Sequence, residues 1–231
     1  MIKNCKSLLR CILVLALCAC LVCVSVHSTQ SGFSSSYTRG IFYRRLCNTQ
    51  LTGDQRTDIV NVAMSQLGYT EGNGKTELSG LAGGNKNYTE YGLWYDNIYG
   101  PEGFNHAAWC ASFVSWCAYQ AGISKQTVYY HAFTPYGLSW FEDQGLAYSR
   151  AQVEKGNYTP QPGDIVYFKS SANNQRVNHV GIVVRYEDGI LYAVEGNTRV
   201  GSQTSDGGQV CLKSYKISNT FIRYICCPNY T

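Results

Sequence analysis

The pattern of the chain changes about halfway along it, and this change constrains the fold more than any other feature. Up to Gly122, two segments have apolar residues at helical spacing. Beyond Gly122 the sequence consists of short alternating or β-branched runs, separated by Gly, Asn and Asp. These runs are DIVYF, NHVGIVVRY, ILYAVEGN, QVCLKSYKI and FIRYIC. Helices followed by short strands predict an α+β fold, with N-terminal helices packed on an antiparallel β-sheet.

The first 28 residues have the pattern of a secretory signal peptide. Lys3, Lys6 and Arg10 precede an apolar run from Cys11 to Val26, and small residues close that run. We therefore predict that residues 1–28 are removed on secretion. The alternative is an uncleaved N-terminal anchor, which would be the only contact of the chain with a membrane. In either case we expect the remainder to be secreted or held at the cell surface.

Two further regions follow the predicted signal peptide. Residues 29–53 are expected to form a flexible tether, because TQSGFSSSYTRG is rich in Ser and Gly. The folded domain is expected over residues 54–231. Its first helix is predicted in TGDQRTDIVNVAMSQLG, with Thr52 or Asp54 as its cap and Gly68 as its stop.

The segment from Tyr69 to Asn105 is dense in Gly, Asn and Tyr. This composition predicts a long surface loop with short helical turns. Loops of such length are commonly functional.

The charge balance argues against nucleic acid as a partner. The full chain has a formal net charge of +4, and loss of the three basic residues of the predicted signal peptide lowers it to +1. A nucleic-acid-binding domain needs a basic surface, which a nearly neutral domain lacks. We expect a monomer.

Six cysteines follow the predicted signal peptide and limit which disulfides can form. They are Cys47, Cys110, Cys117, Cys211, Cys226 and Cys227. An oxidising compartment would allow Cys47 or Cys211 to bond to one of the two adjacent C-terminal cysteines, although spacing does not determine connectivity. If one cysteine must stay reduced for chemistry, at least one other thiol is also free.

Two of these cysteines lie on one predicted helix, in HAAWCASFVSWCAYQAG, which ends at Gly122. Apolar stripes on neighbouring faces predict that this helix is largely buried. Cys110 lies in the first turn, where free backbone N–H groups and the helix dipole favour a thiolate. Cys117, two turns later, has no such help. We interpret Cys110 as the candidate nucleophile and Cys117 as a buried apolar side chain, with a purely structural Cys110 as the alternative.

A base for such a nucleophile is found in the predicted hairpin NHVGIVVRYEDGILYAVEGN. His179 opens its first strand, and Glu195 and Asn197 close its second. A two-residue turn at 188–189 would put His179 on the face opposite the other two. A three-residue turn instead pairs His179 with Asn197. It also pairs Gly181 with Glu195, so that all three polar side chains share one face. The alternative is a polar, solvent-facing sheet surface without coupling.

Four motifs of the chain together resemble a known family. WCASFVSWCAYQAG, QPGDIVYF, NHVGIVV and YAVEGN, in this order and spacing, are similar to the CHAP family of cysteine, histidine-dependent amidohydrolases and peptidases, a branch of the papain-like NlpC/P60 superfamily. The resemblance covers the chain from about Asp54 to Tyr224. It implies a papain-like α+β fold, and hence a CHAP-like catalytic domain over residues 54–231.

The resemblance also implies roles for the polar residues. Cys110 would be the nucleophile, His179 the general base and then acid, Glu195 the orienting carboxylate, and Asn197 a further polar group at the site. The backbone N–H of Cys110 would help to hold the oxyanion. Candidates for a second donor are Tyr91, Asn105 and His106.

The implied substrate is bacterial peptidoglycan, cut at the amide between sugar and stem peptide or within the peptide. Two segments rich in Tyr and Trp, YTEYGLWYDNIYG and YYHAFTPYGLSWF, suit the walls of a groove for a sugar–peptide polymer, although an aromatic core is their commoner use. We expect no cofactor and no metal. YDNIYGPEGFNHAAWC lacks paired acidic residues for calcium, and His106 with Cys110 lacks a second pair of zinc ligands.

Two other functions would use the same scaffold. A catalytically silent wall-binding module would keep the groove without turnover. A cysteine amidase or deamidase acting on proteins would use the same cysteine and histidine. The presence of all four site residues favours an enzyme, because a binding module has no need of a thiol–imidazole pair.

Overall fold

The computed structural model describes the chain over 24–25, 32–100, 103–171, 173–199 and 207–231. Apart from the two residues 24–25, the predicted signal peptide lies outside the described residues. Within these ranges, no helix is both long and apolar enough to cross a membrane.

The order of helices and strands follows the change of pattern in the sequence. The helices are α1 (Ser35–Thr38), α2 (Ile41–Cys47), α3 (Gln55–Ser65), α4 (Glu90–Tyr99), α5 (Cys110–Gln120), α6 (Thr134–Asp143) and α7 (Arg150–Glu154), with a 3₁₀ turn at Phe104–His106. The strands are β1 (Val24–Ser25), β2 (Gln50–Leu51), β3 (Ala147–Ser149), β4 (Ile165–Lys169), β5 (Val177–Glu187), β6 (Ile190–Thr198), β7 (Gln209–Lys216) and β8 (Ile222–Cys226).

Strands β3 to β8 form one six-stranded antiparallel sheet in the order β3-β8-β4-β5-β6-β7. The first four residues of β4 are all buried, because both faces of this inner strand are covered. The short strands β1 and β2 pair separately. The predicted α+β fold with helices and an antiparallel sheet is confirmed.

Helix α5 is the buried centre of the helical layer. It packs against β5 and β6 and against helices α3 and α4. Every residue of α5 except Tyr119 is buried, as its apolar stripes predict. Gly122 follows with φ of 71°, a left-handed conformation that lets the chain turn away from the helix.

The prediction of a flexible tether over residues 29–53 is wrong for most of its described part. Helices α1 and α2 occupy this segment, and Tyr37, Phe42 and Leu46 are buried in the core. The Tyr37 hydroxyl donates to Gln66 Oε1 at 2.9 Å. The Ser- and Gly-rich composition hid apolar residues at helical spacing, and each such side chain gains about 1.5–3 kcal/mol when it is buried.

The segment predicted as a loop with short turns contains the ten-residue helix α4. Its cap is Thr89, whose side chain accepts from the N–H of Gly92 at 3.0 Å. Tyr91 and Trp94 bury the inner face of the helix. Gly92, a poor helix former, is required because a Cβ there would lie 2.6 Å from the carbonyl oxygen of Phe104.

The structure shows no disulfide among the six cysteines of its described residues. Neither of the disulfides that an oxidising compartment would allow, from Cys47 or from Cys211 to the C-terminal pair, is formed. For Cys211 the topology explains why. Cys211 lies on β7 and Cys226 on β8, with β4, β5 and β6 between them. At about 4.8 Å per strand the two positions are roughly 19 Å apart along the sheet. A disulfide requires Cα atoms within about 7 Å.

Candidate active site

The hairpin of β5 and β6 brings a histidine and a carboxylate together. Gly181 pairs with Glu195, as predicted, but the predicted three-residue turn is wrong. The turn contains two residues, Asp188 and Gly189, which both have positive φ as the favoured Asp-Gly hairpin turn requires. A bulge at Val184 then shifts the register by one residue and restores the pairing.

Gly181 provides the space in which Glu195 lies. A Cβ at position 181 would be 2.7 Å from Glu195 Cγ, so a larger residue would displace the carboxylate. With glycine there, Glu195 Oε2 lies 2.8 Å from Nε2 of His179. Both side chains are buried, the histidine to 5% exposure and the glutamate completely.

The first residue of α5 supplies the thiol. Cys110 is 4% exposed, and its interaction with the His179 imidazole contributes to the raised pKa of that ring. Because Glu195 faces Nε2, Nδ1 is the ring nitrogen left for the thiol, and it has no hydrogen-bond partner within the described part of the chain. The imidazole therefore stands between the thiol and the carboxylate.

The protonation of His179 follows from these two neighbours. Burial by itself lowers the pKa of the imidazole, because it penalises the charged form. Interactions with Cys110 and Glu195 more than offset burial and raise the pKa of His179 to about 9. At neutral pH the imidazole is thus protonated and can act as a proton donor.

Two residues of β7 complete the surroundings of the carboxylate, and sequence reasoning missed both. Lys213 Nζ lies 3.6 Å from Glu195 Oε2 and donates to Thr198 Oγ1 at 3.1 Å. Burial, and then the nearby charge of Glu195, raise the pKa of the Tyr215 phenol, so it stays neutral beside the carboxylate. The signal was the alternation of QVCLKSYKI, since β7 pairs with β6 and sets these two side chains on the face of Glu195.

Asn197 lies at the end of β6 and departs from the regular strand. Its φ is 54°, and the β6–β7 register shifts between Glu195 and Thr198. In the described residues the β5–β6 ladder ends at Gly181 and Glu195, so Asn197 is not the ladder partner of His179. Asn197 is buried, and its Oδ1 has no hydrogen-bond partner among the described residues. Its role at the site stays a prediction.

Trp109 fixes the start of α5 relative to the hairpin. Its indole N–H donates to Oε2 of Glu71 at 2.8 Å. Its ring packs on Gly196, where a Cβ would lie 2.7 Å from Trp109 Cζ3. The residue before Cys110 is therefore anchored to the residue that follows Glu195. Sequence reasoning missed Glu71, because nothing distinguishes this acid within a segment rich in Gly and Asn.

The predicted second donors to an oxyanion have different surroundings. Tyr91 is fully buried and its hydroxyl donates to Gln66 Oε1 at 3.2 Å, so this candidate is wrong. His106 stacks on Tyr88 with ring centroids 5.8 Å apart. Asn105 is buried, and its Oδ1 has no hydrogen-bond partner among the described residues. The roles of His106 and Asn105 stay predictions.

The arrangement provides the groups for acyl transfer by a nucleophilic thiol. The sulfur of Cys110, a protonated imidazole and a buried carboxylate lie in series, and the carboxylate fixes which ring nitrogen faces the sulfur. Over the described residues, no three His, Cys, Asp or Glu side chains are grouped as ligands for a metal ion.

Comparison with known proteins identifies the segment that carries this site. Residues 102–197 match the family model of the CHAP domain, so the resemblance in the sequence motifs is confirmed over that range. The matched segment contains Cys110, His179, Glu195 and Asn197. Comparisons with curated proteins and with solved structures gave no match.

Proposed function

We propose that the CHAP domain of this chain is a secreted cysteine hydrolase that cleaves amide bonds of bacterial peptidoglycan. The observation that carries the proposal is the series of Cys110, His179 and Glu195, in which the carboxylate lies 2.8 Å from the imidazole. The match to the CHAP domain indicates an amidase- or peptidase-type hydrolase. The bond cut is either the N-acetylmuramoyl-L-alanine amide or an amide within the peptide.

The first half of the reaction forms a thioester. In the resting site the proton of the thiol–imidazole pair is on His179, and the Cys110 thiolate attacks the carbonyl carbon of the amide. A C–S bond forms, and the carbonyl π electrons move to oxygen. The backbone N–H of Cys110, at the start of α5, donates to this oxyanion. His179 then gives its proton to the amide nitrogen as the C–N bond breaks, and an amine leaves.

The second half returns the enzyme to its starting state. Water attacks the thioester carbon and gives a proton to His179. The C–S bond breaks, the product leaves as a carboxylic acid, and the proton stays on His179, which restores the pair of Cys110 thiolate and His179 imidazolium. No oxidant, reductant or metal takes part in these steps.

Glu195 supports both halves through the imidazole. By facing Nε2 it keeps Nδ1 turned to the thiol, and it helps to hold the pKa of His179 at about 9. An imidazolium is therefore present at neutral pH when the leaving amine needs a proton. This positioning corresponds to the role of the third member of a catalytic triad.

The location and partners follow from the same proposal. Peptidoglycan lies outside the cytoplasm, and the predicted signal peptide or anchor over residues 1–28 would deliver the domain there. The substrate is the wall polymer or its peptide fragments. We propose a monomer that contacts a membrane only through an uncleaved N-terminal segment and that does not bind nucleic acid.

Digestion of purified peptidoglycan tests the proposal. The chain without residues 1–28 and its Cys110→Ala variant are incubated with the polymer under mild reductant, and mass spectrometry identifies the released fragments. Fragments released only by the wild type, with new termini at one kind of amide, are the expected result. If the folded wild type releases no fragments, or the variant releases the same ones, the proposal is wrong. A silent wall-binding module or an amidase directed at proteins would then take its place.

A further inference from the structure

A second concave site lies away from the thiol, near the other end of helix α5. Its volume is about 530 Å³, which is in the range of sites for small organic ligands. Tyr130 lines it and packs on Tyr119 near the last turn of α5, with ring centroids 6.2 Å apart. Nine residues of helix separate Tyr119 from Cys110, a rise of about 14 Å. The site is therefore distinct from the Cys110 centre.

Aromatic rings form most of its wall, and we call it the tyrosine pocket. The rings are those of Tyr95, Tyr99, Tyr129, Tyr130 and Trp140. Tyr129 and Trp140 are nearly parallel, at 11° between planes, and Tyr95 lies beside Tyr99 at 4.7 Å between centroids. Tyr99 is 39% exposed and the other rings are half-buried, so their faces are partly open to a ligand. Tyr95, Tyr130 and Trp140 also pack against the hydrophobic core.

Polar groups surround the rings. Lys125, Gln126 and Gln144 also line the pocket, and all three are exposed. Burial, and then the neighbouring phenol of Tyr129, raise the pKa of Tyr99, so its hydroxyl stays neutral and can donate a hydrogen bond. The pocket thus combines flat apolar faces with amide, hydroxyl and ammonium donors.

The charge of the lining restricts the ligand. The described residues that line the pocket carry one cation, Lys125, and no carboxylate. Such a lining disfavours a cationic ligand, although aromatic cages for quaternary ammonium groups use similar rings. It favours a neutral or anionic ligand that has an apolar face and a polar edge. A pyranose ring has this form, because its C–H groups stack on aromatic faces while its hydroxyl and acetamido groups point outward.

We propose that the tyrosine pocket binds an N-acetylated pyranose unit of a glycan. The assignment to wall glycan rests on the proposed function, whereas the choice of a sugar rests on the rings and the polar edge. The pocket holds the polymer about one helix length from the thiol, and it supplies affinity for the wall within the folded domain itself.

Binding of a soluble glycan to an inactive protein tests this inference. The probe is the β-1,4-linked tetramer of N-acetylglucosamine, titrated by calorimetry into the Cys110→Ala protein. We expect saturable binding. Tyr99→Ala, made in the same background, should weaken the Kd at least about fivefold, because a stacking face is lost. The matched control is Tyr136→Ala, an equally simple truncation of a 67% exposed tyrosine that does not line the pocket.

The outcomes separate this inference from the hydrolase proposal. Binding does not need the thiol, so failure of wall digestion leaves this test intact. Absence of saturable binding to folded protein at about 10 mM tetramer overturns the inference. The inference is also overturned if Tyr99→Ala binds as tightly as the Cys110→Ala protein, or if Tyr136→Ala weakens binding equally. Circular dichroism of each variant confirms that it is folded before titration.

Discussion

Cys110 and Cys117 lie seven residues apart on helix α5, and both are buried, yet their surroundings differ in every respect that matters for chemistry. Burial alone raises the pKa of the Cys117 thiol well above its usual value, so this thiol stays protonated. Cys110 lies at the helix start and meets a histidine that a carboxylate orients. Burial by itself makes a thiol inert. A thiol becomes a nucleophile when a second element brings a base to it.

The largest difference in activity is expected when each thiol is removed in turn. Cys110→Ala should lower the rate of amide hydrolysis by at least about 10³-fold, because the attacking group is lost. Cys117→Ala should keep the rate within about twofold and lower the free energy of unfolding by about 1–2 kcal/mol through a small cavity. Steady-state hydrolysis and urea unfolding of both variants provide the check. Equal losses of activity would mean that the helix start gives Cys110 no special role.

Glu195→Gln should make the surroundings of Cys110 more like those of Cys117. Without the carboxylate, the pKa of His179 falls below about 9, and the hydrolysis rate should drop by about 10²–10⁴-fold. The basic limb of the pH–rate profile, where the imidazolium is lost, should move to lower pH. The control is Gln209→Glu, the reverse substitution between the same two residue types, at the first residue of β7. An unmoved basic limb would show that Glu195 does not set this pKa.

The pair of His179 and Glu195 also affects stability, and the raised pKa of His179 gives the direction of this effect. A folded-state pKa above the unfolded value of about 6.5 stabilises the protein fully below pH 6.5. This stabilisation is lost as the pH rises through about 9. The wild type should therefore exceed Glu195→Gln in unfolding free energy by a few kcal/mol at pH 6, and the difference should shrink towards pH 9. Urea unfolding at a series of pH values measures it.

Gly181→Ala tests whether the space behind the carboxylate matters. The new Cβ would lie 2.7 Å from Glu195 Cγ and must push the carboxylate from the imidazole. A displacement of this kind should reduce the hydrolysis rate by about 10–100-fold. Gly74→Ala is the matched control, since a Cβ there meets open space and its φ is not left-handed. Comparable rates for the two variants would mean that Glu195 accommodates the methyl group without loss of function.

Lys213→Met should have the smallest effect and the opposite direction to Glu195→Gln. Removing the ammonium 3.6 Å from Glu195 Oε2 leaves the negative charge of the carboxylate without this nearby positive charge. The pKa of His179 should then rise, and the basic limb of the pH–rate profile should move to higher pH, with a change in rate of less than about tenfold. Lys213→Arg keeps the positive charge and should leave the basic limb of the pH–rate profile at its wild-type position. A shift to lower pH in Lys213→Met would contradict this electrostatic role.

The sequence was sufficient where local signals agree with tertiary packing. Apolar stripes on α5 predicted its burial, and the spacing of polar residues in the hairpin predicted that Gly181 pairs with Glu195. The turn length was wrong because a bulge leaves no clear mark in a β-branched run. The predicted pairing of Gly181 with Glu195 was correct because two differences from the prediction cancel. The turn is one residue shorter than predicted, and Val184 adds one residue to β5.

The rest depended on contacts between segments distant in the chain. Tyr37 and Phe42 are buried in the core, although they lie in a segment whose composition is typical of a flexible tether. Lys213 reaches Glu195 only because β7 pairs with β6, and Glu71 reaches Trp109 from a loop 38 residues away in sequence. A single sequence gives spacing within a segment. It does not give the register between segments that are not joined by a short turn.

The most direct test of the account is the rate at which iodoacetamide alkylates each thiol of the folded protein. Peptide mass spectrometry separates Cys110 from Cys117 and from the other cysteines, and the wild type is compared with His179→Ala at neutral pH. Cys110 should react fastest in the wild type, Cys117 should stay unmodified, and His179→Ala should slow Cys110 by at least about tenfold. An unchanged Cys110 rate in His179→Ala, or alkylation of Cys117 at a similar rate, would contradict the claim that the hairpin activates Cys110.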